Sequence, residues 1–173
     1  MTDSLEVIEN RQRDGDAGVL GVQAADQYEP ATDPAQPCPP DGFELLTWTS
    51  GFGAQMGPVY GREFSNGTAR RGFFVQKHHL NGNGTCHGGM LSAFADVCFG
   101  MAVGHTYDKW VTVRLMTDFL SSAQLGEWVE GGGDITSDID GFVTTKGQLW
   151  CAERVLMTGT AVYKGLERKS GLK

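Results

Sequence analysis

The residue in this chain most able to do chemistry is an aspartate set in an apolar run. Residues 88–103 read GGMLSAFADVCFGMAV, and Asp96 is the acidic side chain among them. Burying an ionised carboxylate without partners costs several kcal/mol, so a fold keeps one that is paired, that caps something, or that works. On residue type alone, a structural aspartate bonded to polar neighbours and a catalytic one are equal readings. Just upstream lies Asn81-Gly82-Asn83-Gly84-Thr85-Cys86-His87-Gly88-Gly89. If a helix starts near Gly88, its first backbone N–H groups are unpaired and carry partial positive charge. Glycine there lets a substrate oxygen come close, which suits a carbonyl whose oxygen gains charge. Gly-rich loops are also common as plain connectors.

Other constellations are weaker. His78, His79, Cys86 and His87 are zinc-type residues, but their spacing matches no standard finger and no helical HExxH pattern. Cys86 beside His87 suggests a thiol nucleophile, yet adjacent residues usually point apart and no third orienting group is evident. The glycine loop lacks both GxxxxGK[ST] and GxGxxG, so those modes of nucleotide binding are unsupported.

The elements that must position Asp96 follow from periodicity. Met90, Leu91, Phe94, Val97, Cys98, Phe99, Met101 and Val103 spread around nearly the whole circumference of a helix over 88–103, the mark of a buried helix. One row differs: Gly88, Ser92, Asp96, Gly100 and Gly104 recur every fourth residue and are small or polar, which allows a backbone or a ligand to approach. Phe94, Phe99, Met90, Met101 and Trp110 are equally readable as core or as the lining of an acyl pocket. Strands are expected over Val59–Phe64 and Arg71–Lys77, joined by a turn at Ser65-Asn66-Gly67. His78 and His79 then end a strand at the mouth of a cleft. Gly42–Trp48 is a short helix or an opening strand. After the helix, Val111, Val113 and Leu115 alternate with Thr112, Arg114 and Met116. Further β-like stretches cover Glu127–Thr136, Phe142–Trp150 and Arg154–Tyr163. Two strands, one buried helix and four strands with short connections define an α+β fold with an antiparallel sheet.

Composition sets the frame. The chain has 173 residues and a formal net charge of -7, which argues against a nucleic-acid surface over the whole molecule. Residues 1–40 carry five of the six prolines and no sustained hydrophobic periodicity, so they are expected to be a disordered tail with at most a short helix near 5–11. The folded domain is expected over 41–173. No apolar run is long enough to span a bilayer, and the N-terminus lacks a signal peptide's apolar core. The four cysteines form no CxxC pair, so reduced thiols in a cytoplasm are the simplest reading.

The string Asn81-x-x-Gly84-x-x-His87-Gly88-Gly89, followed by Asp96 within a helix, resembles the signature of PaaI-type hotdog acyl-CoA thioesterases. Thr112-Val113-Arg114-Leu115, Asp118-Phe119-Leu120 and Gly126-Glu127 resemble the family's third strand and the turn after it. The likeness covers about residues 42–165 and implies a hotdog fold, an antiparallel sheet wrapped around one long helix. It implies that Asp96 acts as general base or nucleophile against the thioester, and that the Gly88 N–H polarises its carbonyl. Asn81 and His87 would orient the carbonyl or the attacking water, and the Thr112 hydroxyl would help hold that water. Gly89, Ser92 and His79 are expected to meet the substrate. No metal and no organic cofactor is required, because one carboxylate and one dipole suffice for a good electrophile with a fair leaving group. Arg70, Arg71, Lys77, Arg154, Lys164 and Arg168 are candidates for the phosphates of coenzyme A. The alternatives are a hotdog module that binds or senses acyl-CoA without turnover and, more weakly, a hotdog dehydratase.

Helix geometry adds an oligomer. Gly88 and Asp96 are eight residues apart, so one helix separates them by about 12 Å and turns them by about 80°. A base and an oxyanion donor must each lie within about 3 Å of their reacting atoms. A two-fold partner would bring one chain's Asp96 opposite the other's Gly88, so at least a homodimer is expected, and the resemblance implies dimers with shared sites and often a homotetramer. Neither nucleic acid nor a membrane is expected as a partner.

Overall fold

The computed structural model describes residues 37–48, 50–65 and 68–170. The tail expected over 1–40, with its helix near 5–11, lies outside the described residues except for 37–40. So do Asn66 and Gly67 of the expected turn. Among the described residues seven strands and two α-helices follow in the order β1 (Glu44–Leu45), α1 (Gly51–Gln55), β2 (Tyr60–Glu63), β3 (Ala69–Phe74), α2 (Gly88–Gly100), β4 (Tyr107–Phe119), β5 (Trp128–Ile139), β6 (Phe142–Cys151) and β7 (Arg154–Arg168). They form one sheet in the order β1-β2-β3-β5-β6-β7-β4. Every neighbouring pair is antiparallel.

Each expected strand is present, and β1 adds a short seventh. Two expectations are corrected. The strand expected over Arg71–Lys77 starts earlier and stops at Phe74, because Lys77–His79 close into a single 3-10 turn. His78 and His79 therefore sit in that turn and do not end a strand. The helix expected to reach Val103 ends at Gly100, and a second 3-10 turn, Val103–His105, follows it. The β5–β6 hairpin turns on Asp140 and Gly141, with φ of 53° and 76°. Asp-Gly suits that turn because positive φ is available to both residues at little cost.

The sheet wraps α2. Leu91, Phe94, Ala95, Cys98 and Phe99 on the helix are buried, as are Phe73 and Val75 around β3, Val129 on β5, Val143 and Leu149 on β6, and Leu156, Met157 and Ala161 on β7. Phe99 makes the tightest contact. Gly133 pairs with Gly147 and Gly147 with Gly159, so three adjacent strands present a row of glycines to it. A Cβ on Gly147 would stand 2.3 Å from the Phe99 ring, and one on Gly159 would stand 3.0 Å from it. The row is the hollow into which the ring fits.

The small row of α2 faces β4 and β7. A Cβ at Gly88 would meet the Phe119 ring, one at Gly100 would meet Trp110 and Tyr163, and one at Gly104 would meet Trp110. Helix and strand thus run in opposite directions, with Thr112 opposite Asp96.

Because the Gly147 hollow is already filled, Gly147→Ala is expected to cost about 2–3 kcal/mol of stability by denaturant unfolding. Gly82→Ala is the control. Nothing lies within 4 Å of a Cβ there, so its cost should stay within about 0.5 kcal/mol.

Candidate active site

Asp96 is half-buried on the outward side of α2, which corrects the expectation of a fully buried carboxylate. Two hydroxyls fix it. The Thr112 hydroxyl donates to the carboxylate, 2.8 Å from Oδ1 and 3.1 Å from Oδ2. The Tyr163 hydroxyl lies 2.9 Å from the Asp96 backbone carbonyl and 3.3 Å from Oδ1. Burial first, and then the charge and hydrogen bond of Asp96, push the Tyr163 phenol well above its ordinary value, so it stays a donor. The carboxylate opens onto a cleft of about 810 Å³ whose walls include Trp48, Val97, Met101 and Trp110, with Arg71 and Glu63 on the sheet side.

Asn81 and Gly88 lie together elsewhere, lining a cleft of about 370 Å³ with Leu91 and Phe119. The two clefts have no residue in common. Asn81 shapes its own loop: Oδ1 accepts from the N–H groups of Asn83 and Thr85, at 2.9 and 3.2 Å, and Nδ2 donates to Thr85 Oγ1 at 3.0 Å. His87 caps α2, with Nδ1 accepting from the Gly89 N–H at 2.8 Å. The next N–H groups are taken by the His87 carbonyl, from Met90 at 2.9 Å and Leu91 at 3.2 Å. The Gly88 N–H alone among these has no acceptor among the described residues. It points out from the N-terminus of an α-helix, where a developing negative charge is favoured.

His79 and Gly89 border a third cleft, together with His87, His78 and Met90. His79 is 3% exposed and both its ring nitrogens meet backbone. Nδ1 accepts from the Gln76 N–H at 3.0 Å, so the proton is on Nε2, which donates to the Met56 carbonyl at 2.7 Å. Ser92 lies one turn before Asp96 on α2, half-buried. The structure therefore brings Asp96 and Thr112 together, gathers Asn81 and Gly88 separately, and gives His79 and His87 backbone to hold.

The basic residues named for coenzyme A are scattered. Arg70 lies 3.5 Å from Glu130, Arg154 lies 2.6 Å from Glu127, and Lys164 donates to the Asp140 carbonyl at 2.7 Å. Phe94 and Phe99 are core, whereas Met101 and Trp110 line the Asp96 cleft. Sequence reasoning missed Tyr163. Its signal was the inward position in β7, two residues after the buried Ala161.

Residues 83–157 match the model of the thioesterase superfamily. A Pseudomonas aeruginosa protein called a "putative esterase" is 28% identical over 127 residues, covering 72% of this chain and 95% of that relative. A mutant of the phenylacetic acid degradation protein PaaI from Thermus thermophilus superposes with a TM-score of 0.60 at 22% identity, over 66% of this chain and 98% of that one. A hypothetical thioesterase protein from Streptococcus pneumoniae, solved with coenzyme A, gives 0.59 at 18%, over 65% and 88%. The chain has a hotdog fold, and its residues 83–157 are similar to the thioesterase superfamily. Among the described residues, no helix is long and apolar enough to cross a membrane.

Burial, then the neighbouring His78, lower the His79 pKa from 6.5 to about 4, against the pull of the Met56 bond. A lowered histidine stabilises the fold fully above its unfolded pKa, and that stability is lost as pH falls from 6.5 towards 4, because only the unfolded chain takes up the proton. Melting temperatures measured between about pH 7 and pH 4.5 should fall more steeply for the native chain than for His79→Gln. Parallel curves would show that His79 does not set this slope.

Proposed function

We propose that the protein hydrolyses an acyl- or aryl-CoA thioester to the free acid and coenzyme A, at a site shared by two copies of the chain. The observation that carries this reading is the Asp96 carboxylate, half-buried, held by two hydroxyls and open to a large cleft. Thr112 and Tyr163 leave lone pairs of that carboxylate for a water or for the substrate carbon. Asp96 takes the water's proton, or attacks directly as nucleophile, and a new C–O bond forms at the thioester carbonyl. The Gly88 N–H of the second copy, at the tip of its α2, donates a hydrogen bond to the oxyanion. Collapse breaks the C–S bond: on the general-base route the thiolate leaves with the proton held by Asp96, and on the nucleophilic route it leaves an Asp96 mixed anhydride that water then hydrolyses to the free acid. One N–H of Asn81 Nδ2 remains beyond its Thr85 bond and is aimed by the loop to steady the carbonyl. His87 acts by fixing the helix start, and Gly89 and Ser92 border the path of the substrate.

The second copy is argued from the edge of the sheet. Among the described residues β4 pairs with β7 alone, and no strand lies along its other edge. Along it Val111, Val113, Met116 and Phe119, with Leu120 just beyond, are all at least half exposed. An open, apolar edge of this length invites another strand. It also runs from Thr112, beside Asp96, to Phe119, beside Gly88. A two-fold copy laid on β4 would cover the apolar edge and bring the two separate half-sites together. A dimer is the minimal unit, and a tetramer is compatible with it. All four cysteines are unpaired, which supports a reducing compartment such as the cytoplasm. The coenzyme A seen with the Streptococcus pneumoniae protein supports the choice of thioester.

Asp96→Asn is expected to lower hydrolysis of acyl-CoAs, followed with a thiol reagent, by at least about a hundredfold with the fold intact. Full activity in that variant would move the chemistry elsewhere, and tight acyl-CoA binding without turnover in the native protein would make it a binding module. Complementation tests the shared site. Asp96→Asn protein mixed with inactive Asn81→Ala protein, under conditions of subunit exchange, should regain activity because each heterodimer holds one intact site of two. No recovery despite proven exchange would place all the chemistry in one chain.

A further inference from the structure

The Asp96 cleft carries a second charge that hydrolysis alone does not use. Arg71 lines it from β3, among Trp48, Val97, Met101 and Trp110. Across the sheet Arg71 pairs with Gly61 on one side and Gly131 on the other. A Cβ at Gly61 would stand 2.6 Å from Arg71 Nη1, so the guanidinium lies in room that only glycine leaves. The side chain is half-buried, and its one hydrogen bond given by the structure runs from Nη1 to the Arg70 carbonyl at 3.3 Å. Arg70 and Arg154 are ion-paired, but among the described residues no ion pair takes Arg71. Glu63 shares the cleft, exposed and close enough to interact, without forming such a pair. Burial lowers the Arg71 pKa below its ordinary value, with Cys98 and Glu63 pulling the other way, and an arginine so placed remains a cation. A partly desolvated guanidinium is thus left with most of its N–H donors unspent.

We infer that Arg71 selects thioesters whose acyl group ends in a carboxylate, holding that carboxylate at the far side of the cleft from Asp96. The inference rests on the thioesterase reading above. A guanidinium fork binds a carboxylate through two parallel charge-assisted bonds, and it does so best where water is scarce. The aromatic and aliphatic walls suit the body of the acyl chain. Arg71 also offsets the repulsion that Asp96 exerts on a second carboxylate in the same cleft. The phosphates of coenzyme A are the other available anions. They favour the wetted rim over an aromatic-lined cleft, whereas the acyl group must enter to bring its carbonyl to Asp96.

The test compares substrates matched in length: glutaryl-CoA with pentanoyl-CoA, and adipyl-CoA with hexanoyl-CoA. For the native protein kcat/KM should favour the carboxylate-bearing member of each pair by about tenfold or more, since a site built for a polar group discriminates strongly. Arg71→Met should collapse that ratio towards one, mainly through KM, and Arg71→Lys should restore part of it. A native preference for the plain acyl chain would overturn the inference. So would an equal fall for both members in Arg71→Met, which would assign Arg71 to coenzyme A or to the fold. If Arg71→Met does not fold, Arg71→Gln is read in its place. If no thioester is hydrolysed, the thioesterase reading fails and selection is read separately, by calorimetry with thioether analogues of glutaryl- and pentanoyl-CoA. Equal affinities there would overturn it.

Discussion

Phe99 lies against Gly133, Gly147 and Gly159, side by side on β5, β6 and β7, and this contact fixes how closely the sheet closes on α2. A sheet twists and coils naturally, but it can approach a helix only as near as its inward side chains permit. Three adjacent glycines remove that limit at one place, and a single aromatic ring fills the hollow. The ring gives about 1.5–3 kcal/mol through burial. Its larger effect is geometric, because the helix can neither slide nor rotate without driving Phe99 into backbone.

Asp96 lies three residues before Phe99 on the same helix, so the hollow also sets where the carboxylate points. One side of α2 goes to the glycine row, and the side carrying Asp96 is turned towards β4 and β7. There Gly100 and Gly104 admit Trp110 close to the helix, and Trp110 holds β4 in the register that delivers Thr112. Tyr163 arrives from β7, the neighbour of β4, and is itself almost wholly buried. The carboxylate thus meets one donor at the cleft and one from the core. That explains how a largely apolar helix tolerates a charge: hydrogen bonds to the ionised form replace part of the lost water while one side stays solvated.

Much of this was legible in the sequence. The all-round apolar pattern of 88–103 identified the helix, and period-two stretches identified the strands, because burial on a helix and on a pleat leaves those two rhythms. The row Gly88, Ser92, Asp96, Gly100 and Gly104 was legible as a place of close approach. What approaches was not, since Trp110, Thr112 and Phe119 come from a strand that spacing along the chain cannot locate in space. Tyr163 was missed for the same reason: it lies 67 residues from its partner Asp96. For the histidines only the strand end is corrected: His78 and His79 lie in a 3-10 turn that His79 bolts to Met56, and His87 caps a helix. These are backbone duties that leave no pattern in composition. Arg71 read as one basic residue among several, and only the glycine opposite it distinguishes its position.

Among the described residues the exposed apolar stretch of β4 runs between the Asp96 cleft and the Gly88 cleft. Most large buried side chains face α2, while exposed apolar residues follow β4 from Val111 to Phe119. A monomer could have blunted that edge with a much shorter strand, as edges often are. β4 instead spans thirteen residues, pairs with β7 over nearly all of them, and ends beside the uncapped Gly88 N–H. The apolar edge and the two clefts share residues, since Val111 lines the Asp96 cleft and Phe119 and Leu120 line the Gly88 cleft. Within this reading, assembly and chemistry are not separate properties of the chain. The strand that would draw two copies together is the strand that holds Asp96 at one end and shields Gly88 at the other, so a change that blunts the edge would also unsettle the site.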